Sequence, residues 1–151
     1  MLFGAFENTM DEKGRMILPT KFRGDFQGKC MLTHGLDGCI YAYTLEGWER
    51  FVGAMDELPE DDKKVRRLLR YYYGGAEECD IDRQGRMTVP AAIRERVGLG
   101  KEIVTVGVSK RVEIWDRAAF RKENLDGDQL AEFSNYVSTI KSGVRSAGPV
   151  G

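Results

Sequence analysis

The chain has 151 residues, of which 42% are hydrophobic and 31% charged, and its formal net charge is −1. That is a globular balance, enough for one ordinary domain or two small intertwined modules, and no apolar run approaches the roughly 20 residues that a bilayer-spanning helix needs. With one histidine, His34, and three cysteines, Cys30, Cys39 and Cys79, none in a Cys-x-x-Cys pair, neither a metal centre nor a histidine-based catalytic dyad can be assembled, so no metal, cofactor or small-molecule substrate is expected. The cysteines read as small apolar residues kept reduced in a cytosol. Met1 to Glu7 has no basic start, no signal-length apolar stretch and no cleavage site. A soluble, cytoplasmic, non-enzymatic protein with no membrane partner is expected.

In chain order, the first elements are a strand, a tight turn at Asp11-Glu12-Lys13-Gly14-Arg15, a second strand, and a short helical turn opened by Pro19 that carries Lys21, Phe22 and Arg23. Met31 to His34 and Cys39 to Tyr43 are rich in β-branched and aromatic residues, as strands should be. Thr44 is a good N-cap for a helix with Leu45, Trp48, Val52 and Met55 at helical spacing. The acidic run Asp56, Glu57, Glu60, Asp61 and Asp62 leads into a second helix, with the stripe Val65, Leu68, Leu69 and Tyr72 and a stop at Gly74-Gly75.

The series then starts again. Asp11 to Arg23 lies over Asp82 to Arg94 without a gap, and Asp, Gly, Arg, Met, Pro and the final Arg coincide. After one extra residue in the second copy, Gly35 falls on Gly107, Ile40 on Val112, Tyr43 on Trp115, Thr44 on Asp116 and Trp48 on Phe120. The last stripe is Leu130, Phe133, Val137 and Ile140, with Asp128 as its cap and Gly143 as its stop. The predicted organisation is therefore a first repeat over residues 1–75, a second over 76–141, and a disordered tail over 142–151.

An Asp-x-x-Gly segment between strands has a mechanical meaning. Asp11 and Asp82 can accept hydrogen bonds from the turn's own N–H groups, and Gly14 and Gly85 can take the positive φ that closes it. The stiff turn fixes Arg15 or Arg86 at the root of the next strand, on the same rim as Lys13 or Arg83. Arginine's planar fork suits a phosphate, or the O6 and N7 of guanine. Lys21, Arg23 and Arg94, with Arg96, lie just past each proline, where phosphate contacts would set orientation. Two readings stay open from the residues alone: each Asp and Arg form an ion pair that brackets the turn, or the arginines contact DNA. Tyr71 to Tyr73 are expected to pack against the other module, and His34 to be a strand-end residue with no chemical role.

These motifs carry a resemblance. The opening Phe3-Gly4 to Thr9, the two Asp-x-x-Gly-Arg turns with Pro19 and Pro90 and their Arg23 and Arg94, and Glu113-Ile114-Trp115 together resemble the MraZ family of bacterial regulators linked to the division and cell-wall gene cluster. The resemblance spans nearly the whole chain. It implies an α+β, mainly β fold: a tandem-duplicated AbrB-like small β-barrel of the swapped-hairpin, double-split kind, with helices after each repeat. It also implies a nucleoid-associated, ring-shaped homo-oligomer that binds double-stranded DNA at repeated guanine-rich boxes upstream of its own operon, usually repressing it. The family's Asp-x-x-x-Arg signature falls on Asp11 and Arg15 and on Asp82 and Arg86. The competing expectation is a protein-interaction module, since relatives of this barrel class include antitoxins.

Overall fold

Each copy of the duplicated segment lays down the same series of elements. The computed structural model describes residues 1–147, and side chains through residue 143. The first repeat contributes β1 (Leu2–Thr9), β2 (Arg15–Ile17), α1 (Thr20–Phe26), β3 (Lys29–His34), a 3-10 turn (Leu36–Gly38), β4 (Ile40–Tyr43), α2 (Leu45–Asp56) and α3 (Lys63–Gly74). The second contributes β5 (Glu77–Asp80), β6 (Arg86–Thr88), α4 (Ala91–Val97), β7 (Glu102–Ser109), β8 (Val112–Asp116), α5 (Arg117–Lys122) and α6 (Gly127–Ala147). Residues 1–120 form one unit, and the chain from residue 121 onward forms a second.

Local chemistry sets most of these boundaries. Pro19 and Pro90 open α1 and α4, where their missing N–H costs nothing. The Thr44 hydroxyl accepts the Gly47 N–H at 2.9 Å, and the Asp62 carboxylate accepts the Lys64 N–H at 2.8 Å, capping α2 and α3. Two predicted boundaries of α6 move. Its cap is Asp126, not Asp128: Asp126 accepts from Gln129 N–H at 2.8 Å while the Gln129 side chain accepts from Asp126 N–H at 3.2 Å, a reciprocal capping box. At the other end the helix runs through Gly143 to Ala147, because Gly143 keeps φ out of the left-handed region that a glycine stop uses. A lone interior glycine costs only about 1 kcal/mol. The predicted disordered tail is thus helical over 142–147, and its remainder, 148–151, lies outside the described residues.

The strands form a six-stranded antiparallel sheet in the order β1-β7-β8-β4-β3-β5, and a separate two-stranded ribbon of β2 and β6. The first strand of each repeat pairs with the other repeat's third strand: β1 with β7, and β5 with β3. Counterpart residues meet at two places, Met16 opposite Met87 in the ribbon and Tyr41 opposite Glu113 between β4 and β8. An approximate two-fold axis therefore relates the repeats through those points. The class is the expected one, and the interleaving is that of swapped hairpins, but the sheet keeps open edges at β1 and β5 and does not close into a barrel.

Side chains alternate across the sheet, as the two-residue period requires. On one face Leu32, Ile40, Ile103, Val112 and Ile114 pack with Met16, Met87, Leu18, Val89, Phe22 and Ile93 from the ribbon, α1 and α4. Phe22 and Val89 are wholly buried, each such side chain contributing roughly 1.5–3 kcal/mol. On the other face Tyr41, Tyr43, Val104 and Trp115 meet Trp48 and Phe51 of α2 and Tyr72 of α3. Tyr72 crosses Phe51 edge-on at 5.1 Å and Tyr73 meets Trp48 at 6.0 Å, so these two rings pack on α2 of their own repeat, while Tyr71 meets the other module through the Arg96 guanidinium, 5.3 Å from its ring. The ribbon is thereby bound to one face of the sheet, with its own outer face turned to solvent.

Candidate nucleic-acid interface

The two tight turns fold as their composition dictates. Asp11 Oδ1 accepts the N–H groups of Lys13 and Arg15, both at 2.9 Å, and the Asp11 carbonyl accepts the Gly14 N–H at 3.0 Å. Asp82 Oδ1 accepts from Gln84 and Arg86, again both at 2.9 Å. Gly14 and Gly85 close the turns with φ of +83° and +82°. The second carboxylate oxygen takes the arginine Nε, at 2.5 Å from Arg15 to Asp11 and 2.6 Å from Arg86 to Asp82. Hydrogen bonds from the Arg15 backbone and then its side chain hold the Asp11 carboxyl below its ordinary value; at Asp82 the Arg86 side chain is the larger cause and its backbone the next.

Of the two readings left open by the residues, this geometry shows the first and leaves room for the second. The bracketing ion pair exists, but it occupies only the Nε edge of each guanidinium. The arginine side chains stay 63% and 67% exposed, and among the described residues the one further contact is a long 3.4 Å bond from Arg86 to Gln84. A carboxylate clamped on Nε fixes the plane of the fork and directs its outer donors away from the protein. The partial neutralisation also makes each arginine a directed donor more than a bare charge.

The ribbon register places the arginines relative to each other. Arg15 pairs with Thr88, and Arg86 with Ile17, on either side of the buried Met16–Met87 pair. Directly paired side chains share a face, so Arg15, Thr88, Ile17 and Arg86 all point outward, and the arginines are diagonal neighbours about 7–8 Å apart. A groove of about 850 Å³ runs along this face, bounded also by Asn8 and Thr9 and by the acidic Glu78 and Asp80. Lys29 offsets part of that acidic flank, 3.1 Å from Glu78 and 2.9 Å from Asp80.

The remaining predicted residues divide. Lys13 and Arg83 are exposed on the turns, beside the arginines. Lys21 is exposed on α1, its Nζ 3.5 Å above the Phe3 ring. Arg23 and Arg94 have a different duty: they are half-buried, with Nε donated to the Leu18 carbonyl at 2.9 Å and to the Val89 carbonyl at 2.8 Å. Each lies against the turn glycine of the opposite repeat, Arg23 against Gly85 and Arg94 against Gly14, where a Cβ would overlap it. Backbone bonds from Leu18 to Gly85 at 2.7 Å and from Val89 to Gly14 at 2.8 Å complete a reciprocal lock. The sequence carried a signal of this, since the arginine recurs at one offset in both copies, but nothing local says that its partner is the other turn. Asn8 was missed altogether; its side chain donates to the Ile17 carbonyl at 2.6 Å and ties β1 to the ribbon.

Comparison with known proteins agrees with the duplication. A family model described as "MraZ protein, putative antitoxin-like" matches residues 1–71 and again residues 72–135. The chain belongs to the MraZ family. The chain is 40% identical over 136 residues to the transcriptional regulator MraZ of Acetivibrio thermocellus, covering 87% of this chain and 95% of that one. It is 41% identical over 141 residues to the namesake in Thermoanaerobacter pseudethanolicus, covering 93% and 99%. Against the Moorella thermoacetica protein of the same name it is 41% identical over 122 residues, covering 81% and 85%. The two family matches meet between Tyr71 and Tyr72, inside α3, close to the repeat boundary that the Gly74-Gly75 stop suggests. Among the described residues, no helix is long and apolar enough to cross a membrane.

Proposed function

We propose that this member of the MraZ family is a sequence-specific DNA-binding transcriptional regulator that reads DNA with the outer face of the β2–β6 ribbon. The carrying observation is the pair of two-fold-related arginines, each clamped on Nε and exposed at its outer edge. A two-stranded ribbon fits the major groove, about 12 Å wide, where an arginine fork can take the O6 and N7 of guanine. Arg15 and Arg86 read bases, while Lys13, Arg83 and Lys21 contact phosphates; Arg23 and Arg94 brace the turns from behind. The sites are repeated guanine-rich boxes upstream of the protein's own operon, within the division and cell-wall gene cluster, and binding represses it. Residence in the cytoplasm, at the nucleoid, follows from that role.

A single near-neutral chain has few phosphate contacts, so affinity depends on assembly into a ring-shaped homo-oligomer, whose linked ribbons engage successive boxes. The stripe of Leu130, Phe133, Val137 and Ile140 on α6, each at least 43% exposed, is the surface we assign to contact between copies. The test is a gel-shift titration on box DNA at several salt concentrations, with oligomer mass measured in parallel. Arg15→Ala or Arg86→Ala lowers box affinity roughly 5- to 150-fold, at unchanged fold and mass. Wild-type affinity in both variants would refute the assignment. A stoichiometric protein partner captured without DNA would favour the antitoxin-like reading instead.

A further inference from the structure

Away from the ribbon, α3 and α4 border a second concavity, an open depression of about 700 Å³. Its chemistry is one-sided. Lys64, Arg67 and Arg70 enter from α3, Arg96 from α4, and His34 and Tyr71 form part of the wall; no carboxylate lines it. Among the described residues none of those four cations has a carboxylate partner, although the chain carries as many acids as bases, 24 against 23. The spacing explains the clustering: residues 64, 67 and 70 recur every third position and so share one side of α3.

The wall is held in place. The Tyr71 hydroxyl donates to the Gly35 carbonyl at 2.5 Å, its ring lies 5.4 Å from that of His34, and the Arg96 guanidinium sits 5.3 Å from the Tyr71 ring. His34 is nine-tenths buried, and its Nε2 has no hydrogen-bond partner among the described residues, a state that native proteins seldom leave unsatisfied. Gly75 is required beside it, because a Cβ there would overlap the imidazole.

The second repeat does not build the same site. In the aligned repeats His34 corresponds to Val106, and Arg96 to Asp25, so a cation of this site stands where the other copy has an acid. The cluster is therefore not needed to hold a repeat together.

We propose that the α3–α4 concavity is a binding site for a compact anion bearing at least two phosphates, held by Arg67, Arg70, Arg96 and Lys64. Three arginine forks and a lysine supply the donors for several phosphate oxygens, and four cations without carboxylate partners at one site call for a ligand with more than one negative charge. The ribbon's arginines take no part. The buried imidazole beside the cluster, its Nε2 without a hydrogen-bond partner among the described residues, favours a small ligand that can reach it.

The experiment is calorimetric titration of the full chain, without DNA, using pyrophosphate, ATP and adenosine as probes. Saturable binding of pyrophosphate and ATP, with none of adenosine, is expected; a preference for ATP over pyrophosphate would assign the source to nucleotides, the reverse to inorganic polyphosphate. Arg70→Gln and Arg96→Gln each weaken it about tenfold or more, and Arg15→Ala/Arg86→Ala leaves it unchanged. Circular dichroism and oligomer mass establish that the variants fold as the parent does. Absence of saturable pyrophosphate and ATP binding at millimolar concentration overturns the proposal, as does binding indifferent to both glutamine variants. If the wild-type chain binds neither probe while Arg67→Gln/Arg70→Gln lowers DNA affinity or alters oligomer mass, the face belongs to DNA or to a neighbouring copy.

Discussion

The ribbon and the α3–α4 concavity both present arginines to solvent, yet they are built on opposite plans. Every element of the ribbon occurs twice: Asp11 with Asp82, Gly14 with Gly85, Arg15 with Arg86, and the bracing Arg23 with Arg94. The concavity takes residues whose counterparts differ, His34 against Val106 and Arg96 against Asp25. Duplication thus preserved what the interleaved frame requires from both halves, and left free what only one half presents. The twin turns are under a shared mechanical constraint; the single pocket is not.

The strongest way to break this comparison is to fill the lock. Gly14→Ala forces an L side chain into the left-handed region, about 1–3 kcal/mol for the backbone alone, and also overlaps the Val89 carbonyl of the opposite repeat. Gly85→Ala carries the same backbone cost, but its nearest neighbours are Arg23 side-chain atoms, which can give way. Urea midpoints should therefore fall for both, and further for Gly14→Ala. Equal midpoints would mean that the cross-repeat contact adds nothing to the backbone cost.

A smaller effect separates the carboxylates from the turns they hold. In Asp11→Asn/Asp82→Asn the turn bonds to backbone N–H remain available while both ion pairs are lost. Because the carboxyl values are lowered on folding, their stabilisation is complete above the unfolded value, about 3.9, and is lost as pH falls through the lowered folded values. The wild type should be the more stable at pH 7, and its advantage should shrink on acidification below about pH 4, measured by urea melts across that range. An advantage that persists unchanged into strong acid would show that something other than the carboxylate charges carries it.

The smallest effect tests a position that only one repeat has as glycine. Gly24, aligned with Glu95, sits inside α1 with open space around it, so Gly24→Ala should raise stability by about 0.5–1 kcal/mol through helix propensity and leave DNA binding unchanged. A loss of stability there would place a hidden contact on the single-copy side of the comparison.

What the residues disclosed in advance was local. The Asp-x-x-Gly turns, the proline-opened helices and the Thr44 cap each follow from chemistry within a few positions, and all are present. The Asp126–Gln129 capping box was equally local and could have been found by looking for a glutamine three residues after an acid. The exchange of partners was expected only through the family resemblance, because Leu2–Thr9 itself carries no residue that distinguishes β7 from β3 as its neighbour. Nor was the pocket: His34, Arg70 and Arg96 lie on three elements, and only the fold brings them together.

The exchange of strands has a consequence for how the protein comes into being. Leu2 pairs with Ser109, and β2 has no ribbon partner until β6 is made. On a ribosome the first strand must wait, for a matter of seconds at ordinary rates of synthesis, before its neighbour emerges. A message broken near its middle would yield a strand without a sheet and one turn without its lock. The surface we propose for reading DNA is consequently a product of nearly finished translation, and on that proposal a half-made chain has no means of occupying an operator in its place.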